Sequence, residues 1–502
     1  MTNDTAAPQT DTNPVADAEG IALAARNRMA LILLLAAVFV VFLNETMMTV
    51  ALPKIQEALR IDATQGQWLT TAFALTMAVV IPTTGWLMQR LNTRPVFITA
   101  MITFSIGTLI AALSPIFEML IVGRVVQAIG TAIMMPLMMT TVMTIVAPQD
   151  RGRIMGRISI VMAVAPAVGP TVSGALLQFL PWQGLFWVML PIALVMLAIG
   201  ARFVPNVSET REAPLDVLSV ILSAVAFSAL VYGLSSIGSA ALGAAPVAPW
   251  IPTSVGLVVL GAFIWRQLRL QRTDSALLDL RTFLSRNFTF SVTLLAVAML
   301  AMFGVIILIP QYARYTLGLD VLWVGAILLP GSLLMGLLGP LIGRLYDKYG
   351  PRPLIVPGAI AVSAALWIFA LTLGEGSSWV ILLGGFILLS LGLGFLFTPL
   401  FSVSLGSLEP KLYSYGSATV ATLQQVAGAA GIALFVALYA TGLAGAGNLD
   451  PDHPSAAEAA AGAHLAFIAG GIISFAVIAL TFFIRKLDIP VTPEGEWAPA
   501  EH

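Results

Sequence analysis

Apolar residues form roughly fourteen runs of about 20 residues each, separated by short polar segments. Such a run is the length that an α-helix needs to cross the hydrocarbon core of a bilayer. The pattern therefore predicts an all-α polytopic membrane protein. We place its spans at 29–52, 67–89, 95–113, 118–145, 154–178, 183–204, 216–237, 248–268, 288–311, 321–343, 353–373, 379–404, 416–442 and 464–485.

Composition agrees with this prediction and excludes a soluble globular protein. Of the 502 residues, 58% are apolar and only 10% are charged, whereas a soluble domain carries about a quarter charged residues. The polar first 28 residues lack the apolar core of a signal peptide, and we expect them to be a cytoplasmic tail. The chain has no cysteine, which excludes disulfides and thiolate metal sites.

Lysine and arginine are distributed unequally between the two sides of the predicted spans. About 20 of them fall on the side of the termini, against three on the other side, Lys54, Arg60 and Arg314. The positive-inside rule then predicts that both termini are cytoplasmic, which requires an even number of spans. We expect the bacterial cytoplasmic membrane as the location.

One turn sequence occurs twice: Gly85–Pro95 recurs as Gly343–Pro353. Two six-helix bundles with two extra spans between them are the organisation expected of a secondary transporter. The predicted division is a tail (1–28), an N-terminal bundle (29–205), two extra helices with a basic linker (206–286), a C-terminal bundle (287–486) and a second tail (487–502).

Two ionisable residues lie well inside the predicted spans and away from their ends, Glu45 in the first and Arg124 in the fourth. A charge near the bilayer centre costs roughly 2.5 to 3.5 kcal/mol, so such residues are functional candidates. Counted from the predicted outer helix ends, both lie about 10 Å deep. Arg124 could pair with Glu45 or be capped by carbonyls and Gln127. We predict that Glu45 titrates during transport, the alternative being a structural ion pair with Arg124.

The whole pattern resembles the fourteen-helix drug:proton antiporters of the major facilitator superfamily. The second turn copy matches the family motif, whereas the first has Gln89 in place of the acid and Asn92 in place of the glycine. The resemblance implies cytoplasmic gating turns at Gly85, Arg90, Arg94, Gly343, Asp347, Lys348, Gly350 and Arg352, and an antiporter motif at Pro166, Gly169, Pro170 and Gly174. The segment from Asn44 to Thr46 is similar to the lincomycin-resistance type of exporter.

The function that follows is proton-coupled export of lipophilic neutral or monocationic compounds. We predict a substrate cavity from flexible and aromatic side chains together with nearby polar ones, at Asn44, Met48, Gln127, Met134, Met138, Phe303 and Phe397. The expected partners are a small lipophilic substrate, protons and membrane lipids, with no nucleic acid, no cofactor and no metal, and the protein is expected to be a monomer. With histidine only at 453, 464 and 502, an enzyme is disfavoured.

Two alternatives stay open. One is a dedicated exporter of a metabolite, lipid or amino acid on the same fold, and the other is a non-transporting membrane sensor. Among the loops, Gly445–His464 is expected to be a flexible outer segment.

Overall fold

The computed structural model describes residues 14–207, 210–211, 214–241, 247–447 and 454–485. Within these ranges the chain contains no strand, and fourteen helices are long and apolar enough to cross a membrane. They are α1 Pro14–Leu59, α2 Ala63–Arg90, α3 Thr93–Leu113, α4 Phe117–Ile145, α5 Arg151–Leu176, α6 Gln183–Phe203, α7 Val217–Ala241, α8 Trp250–Leu270, α9 Arg286–Tyr315, α10 Val321–Tyr349, α11 Arg352–Thr372, α12 Trp379–Gly406, α13 Tyr413–Gly445 and α14 Ala456–Thr481. The predicted all-α membrane fold with 14 spans is confirmed.

The first helix is longer than its predicted span. It begins at Pro14 and continues past Pro53 to Leu59. Residues 14–28, assigned from sequence to a tail, are therefore helical, whereas 1–13 and the second tail lie outside the described residues. Because α1 ends at Leu59, seven residues beyond the predicted end at Leu52, the predicted depth of about 10 Å for Glu45 was counted from the wrong helix end.

The prediction that Gly445–His464 forms an outer loop is wrong for the second half of this segment. Helix α14 begins at Ala456, and Ser455 and Glu458 form a capping box in which each side chain accepts from the other's backbone N–H. Such a box satisfies two amides that the first turn leaves unpaired. The Ser-x-x-Glu spacing of this box is present in the sequence, but apolar length alone does not reveal it. Residues 448–453 lie outside the described part.

The helices form two six-helix bundles, α1–α6 and α9–α14, with α7 and α8 between them in sequence. The bundles meet along two seams, where α5 packs on α10 and α2 packs on α13. We call the end of the molecule that carries the turns 90–93 and 349–352 the basic end, and the opposite end the far end.

The extra pair α7–α8 lies against the α2–α13 seam. Helix α7 packs on both α2 and α13, and one apolar cluster joins Ala78 of α2, Phe227 of α7, Phe263 of α8 and Ala418 of α13. In α7, Tyr232 stacks on Trp68 of α2 with 6.1 Å between ring centroids. One seam is thus covered by α7, which is in contact with both bundles and packs on α8.

An ion pair fixes the start of α7 to α8. Asp216 accepts from Arg266 Nε and Nη2, both at 2.7 Å, and also from the backbone N–H of Ser219 at 3.1 Å. The hydrogen bonds from Arg266 lower the pKa of Asp216 to about 2. Since the unfolded pKa is about 3.9, this pair stabilises the fold above about pH 4, and its contribution is lost only as the pH falls towards 2.

Candidate transport site and gating contacts

Glu45 lies on α1 with a half-buried side chain. Among the described residues its carboxylate makes no hydrogen bond and no ion pair within 4 Å. It interacts electrostatically with Arg124 without touching it. The two candidates that the sequence placed at a shared depth are therefore near each other, but they are not a salt bridge.

Arg124 of α4 is 1% exposed and is satisfied by other groups. Its Nη1 donates to Gln127 Oε1 at 3.0 Å, its Nε faces the carbonyl oxygen of Leu69 at 3.5 Å, and its guanidinium lies 4.1 Å from the centroid of the Phe73 ring. Gln127 Nε2 in turn donates to Thr108 Oγ1 at 2.8 Å. Of the two arrangements that the sequence left open, the structure has the capping by a carbonyl and Gln127.

The stretch of α5 that was predicted to be an antiporter motif makes a close contact with α1 beside Glu45. A Cβ at Gly169 would lie 2.1 Å from Thr46 Oγ1, so Thr46 would have to move to make room for it. Ser173 Oγ donates to the carbonyl oxygen of Met47 at 2.9 Å. A Cβ at Gly174, by contrast, would have nothing within 4 Å. Pro166 and Pro170 lie inside α5 in the same stretch. Of these two glycines, only Gly169 lies in close contact with the segment of α1 that carries Glu45.

The residues predicted for a substrate cavity lie mostly inside the packed core. Met48, Met134, Met138 and Phe397 are at most 2% exposed, and Gln127 is fully buried. Phe303 is half-buried and lies beside Gly428. The Oδ1 atom of Asn44 is buried without a hydrogen-bond partner among the described residues. Lining of a substrate cavity by these residues stays a prediction.

At the α5–α10 junction the backbones of two bundles touch. A Cβ at Gly343 would lie 2.1 Å from the carbonyl oxygen of Gly152, and one at Gly339 would lie 2.3 Å from that of Gly156. Asp347 then accepts from the N–H groups of Gly152 and Arg153, both at 2.8 Å. Its carboxylate thus binds the first turn of α5, where amides are free and the helix dipole is positive.

At the α2–α13 junction the contacts are made by side chains. Gln89 Nε2 donates to Ser414 Oγ at 3.2 Å, and Gln89 Oε1 accepts from Arg211 Nε at 2.8 Å. Arg211 also donates through Nη2 to the hydroxyl of Tyr415 at 3.2 Å. Arg211 was not predicted as a functional residue, because nothing in the sequence distinguishes it from the other arginines on the predicted cytoplasmic side.

The remaining turn residues differ in what they contact. Gly350 has φ +80° and ends α10, and Arg352 donates to the carbonyl oxygens of Ile484 and Phe482 at the end of α14. In the first copy Asn92 has φ −62°, so no glycine is needed there. Lys348, Arg90 and Arg94 have exposed side chains, whereas Gly85 packs on Tyr415.

All hydrogen bonds between described residues of the two bundles lie towards the basic end. Besides those of Asp347 and Gln89, they join Thr140 to Ser417 at 3.0 Å, Arg151 to Tyr413 at 3.2 Å and Ser159 to Thr398 at 2.7 Å. The bundles are therefore held together at the basic end.

Comparison with known proteins agrees with this architecture. The Major Facilitator Superfamily profile matches residues 34–432. The chain is 39% identical over 458 residues to a lincomycin resistance protein LmrB of Listeria monocytogenes, covering 90% of this chain and 95% of that protein. It is 35% identical over 463 residues to LmrB of Bacillus subtilis, covering 91% and 96%.

A solved structure shows the same fold. The human organic anion transporter MFSD10 superposes with a TM-score of 0.63 at 15% identity, covering 91% of this chain and 99% of that one. The helical architecture, the matched profile and these relatives lead to one conclusion: the chain belongs to the Major Facilitator Superfamily, and it is a multi-pass membrane transporter rather than an enzyme.

Proposed function

We propose that this transporter exports lipophilic neutral or monocationic compounds, such as drugs, antibiotics and dyes, in exchange for protons, with Glu45 as the proton carrier. The observation that carries the proposal is the Glu45 carboxylate, which is half-buried within a membrane span and has no hydrogen bond or ion pair among the described residues. A carboxylate that holds no partner in place gains or loses a proton without breaking a structural bond.

Drug-like substrates are supported by the names of the relatives. Both LmrB proteins are described as lincomycin resistance proteins, and a Mycobacterium tuberculosis relative, 29% identical over 373 residues, is described as a multidrug resistance protein B homolog.

Since Glu45 is the one acid found inside the predicted spans away from their ends, we expect it to carry one proton per cycle.

The conformation supports an assignment to one step of alternating access. With the basic end facing the cytoplasm, as the positive-inside rule predicts, the contacts of Asp347 and Gln89 close the cytoplasmic side. In this state Glu45 takes a proton from the outside. Opening of the basic end then lets it release that proton inside, and substrate binds for the next export step.

Energetics limits the substrate. One proton moving inward at 100 mV supplies about 2.3 kcal/mol, which sustains roughly a fifty-fold gradient of a neutral substrate. A monocation exchanged for one proton gains nothing from the potential and depends on the pH gradient. A dication would move net charge outward against the potential, so we expect dications to be poor substrates.

The test is substrate-driven proton movement in proteoliposomes that contain the wild type, Glu45→Gln or Glu118→Gln. Glu118 is an exposed acid in the first turn of α4, so the same chemical change is made away from the proposed carrier. We expect addition of a lipophilic monocation to move protons in the wild type and the Glu118 variant but not in Glu45→Gln. Equal proton movement in all three would refute the role of Glu45. A lack of proton movement in the wild type, accompanied by export, would refute proton coupling itself.

A further inference from the structure

A cavity of about 560 Å³ opens between α1, α4 and α5 at the basic end. One part of its wall is charged and consists of Arg28 of α1 with Asp150, Arg153 and Arg157 at the start of α5. The opposite part is apolar and includes Leu31, Ile32, Leu35, Ile145 and Ile154. Its lining residues belong to the N-terminal bundle alone, and one of them, Arg153, also reaches the α5–α10 seam, where its backbone N–H donates to Asp347.

The charge of this cavity is not balanced by the residues that line it. Three arginines face one acid, and among the described residues none of the side chains of Arg28, Arg153 and Arg157 makes a hydrogen bond or an ion pair within 4 Å. Arg157 is half-buried, whereas Arg28 and Arg153 are exposed. Guanidinium groups form their strongest hydrogen bonds with phosphate and carboxylate oxygens, often two at a time. The cavity is therefore suited to an anion.

A second observation indicates that the ligand also carries a hydrogen-bond donor. Asn27 also lines the cavity, and its Oδ1 atom is buried without a partner among the described residues. An amide oxygen accepts hydrogen bonds only, so it lacks a donor. A ligand that carries both an anionic group and a hydroxyl or ammonium donor would satisfy the arginines and Asn27 together.

We propose that this cavity binds the headgroup of an anionic phospholipid, with the phosphodiester on the arginines, a headgroup hydroxyl on Asn27 and the acyl chains along the apolar wall. The volume lies within the range of roughly 300 to 1,000 Å³ that is usual for small-molecule sites. Basic pockets between membrane helices on the cytoplasmic side are where anionic headgroups bind. Phosphatidylglycerol has the required chemistry.

The same phosphate chemistry could come from a soluble anion, and the apolar wall distinguishes the two sources. Leu31, Ile32 and Leu35 follow one another along α1 from the charged part towards the membrane interior. A free phosphate would leave that wall without an occupant, whereas a lipid would cover it. This favours the lipid.

The experiment measures phosphatidylglycerol binding to the purified full chain by native mass spectrometry, with phosphatidylcholine of the same acyl chains as reference. The test variant is Arg28→Gln with Arg157→Gln. The matched control is Arg26→Gln with Arg344→Gln, which removes two exposed arginines that do not line the cavity. We expect the preference for phosphatidylglycerol to fall on the order of 10-fold in the test variant and to stay within about twofold in the control. An equal fall in both would overturn the proposal.

A second variant protects the result against misfolding. Leu35→Trp keeps every arginine and fills the apolar part of the cavity, and we expect it to lose phosphatidylglycerol binding while eluting as the wild type does in size exclusion. Retained binding in this variant would overturn the placement of the acyl chains. Displacement of phosphatidylglycerol from the wild type by about 10 mM inorganic phosphate would overturn the lipid in favour of a soluble anion.

Discussion

The two seams of this transporter are closed at the same end by different chemistry. At α5–α10, glycine backbones touch and the Asp347 carboxylate binds two amides of the facing helix. At α2–α13, the corresponding position is Gln89. Its neutral amide forms hydrogen bonds with Ser414 of α13 and with Arg211, which lies outside both bundles. A repeated turn sequence has therefore produced two unlike junctions.

The difference shows that, where the first turn copy has Gln89 in place of an acid, the linker between α6 and α7 supplies an additional contact at the junction. Arg211 belongs to the linker between α6 and α7, and its main-chain N–H also donates to the carbonyl oxygen of Gln89 at 2.9 Å. The junction at Asp347 uses only the two bundles, whereas the junction at Gln89 also depends on a residue of the linker between α6 and α7. Each of the following substitutions tests one part of that contrast.

The largest effect is expected from Gly343→Ala. A Cβ there would lie 2.1 Å from the carbonyl oxygen of Gly152, so the two backbones would have to separate. Overpacking of this kind costs about 1 to 3 kcal/mol, which favours the open basic end and lowers the thermal midpoint.

Gly85→Ala is the matched change at the other seam. Its Cβ would meet the edge of the Tyr415 ring at 3.1 Å, which a side chain can relieve by a small shift. We expect a much smaller loss of thermal stability, measured in the same detergent. Equal losses for both glycines would remove the structural distinction between the seams.

Next in size is Asp347→Asn. An amide presents one oxygen and one donor to two N–H groups, so at least one bond is lost, and a hydrogen bond to a charged group contributes about 1.5 to 3 kcal/mol. The chain has no cysteine, so Ser417→Cys, buried between the bundles, reports opening of the basic end through its labelling rate.

We expect Asp347→Asn to raise that labelling rate by about tenfold, consistent with the loss of one charged hydrogen bond. The control is Asp320→Asn, which changes the N-cap of the same helix at the far end, where Asp320 accepts from the N–H of Trp323. Similar labelling rates in both variants would mean that Asp347 does not hold the basic end closed.

A smaller effect is expected at Gln89. In Gln89→Ala the neutral bond with Ser414 and the bond from the Arg211 guanidinium are lost. Because Arg211 keeps its bond to Tyr415, we expect a net loss of about 1 kcal/mol and a few-fold rise in the labelling rate of Ser417→Cys. Combining this change with Arg211→Gln should add only the loss of the bond between Arg211 and Tyr415, because both substitutions remove the contact between Gln89 and Arg211. Additive effects would show that Arg211 stabilises the junction independently of Gln89.

The last two changes lie in the turns themselves, and the second of them is expected to have the smallest effect. Gly350 has φ +80° and ψ −173°, a conformation that is essentially restricted to glycine, so Gly350→Ala should lower stability by roughly 1 to 3 kcal/mol. The complementary change, Asn92→Gly, places in the first turn copy the glycine that the second copy has at Gly350. Because the backbone at Asn92 is extended, we expect the free energy of unfolding to change by only about a few tenths of a kcal/mol. Thermal unfolding of the two variants measures this difference.

Much of the fold follows from the sequence because spans in a membrane depend on apolar length, a local property. All fourteen helices were predicted, and the errors are at ends such as Leu59 and Ala456, where helices continue into polar sequence. A capping box and the extended polar end of α1 need no apolar residues, so a search for apolar runs does not detect them.

The candidate site was only partly predictable because it depends on how helices rotate about their axes. The sequence placed Glu45 and Arg124 at one depth, and they do interact electrostatically. Whether they touch depends on which faces of α1 and α4 meet, and no local pattern gives that. The partnership of Gln89 with Arg211 spans 122 residues and could not be derived from the turn motif.

The position of α7 has a kinetic consequence. Because α7 packs on both α2 and α13, the bundles cannot separate along that seam unless α7 loses one of its two contacts or slides along it. The contact with α2 includes the stacked rings of Trp68 and Tyr232, so we expect α7 to move with the N-terminal bundle and to slip against α13. We therefore expect the extra helices to set the rate at which the two bundles separate and close, and to leave the affinity for substrate unchanged.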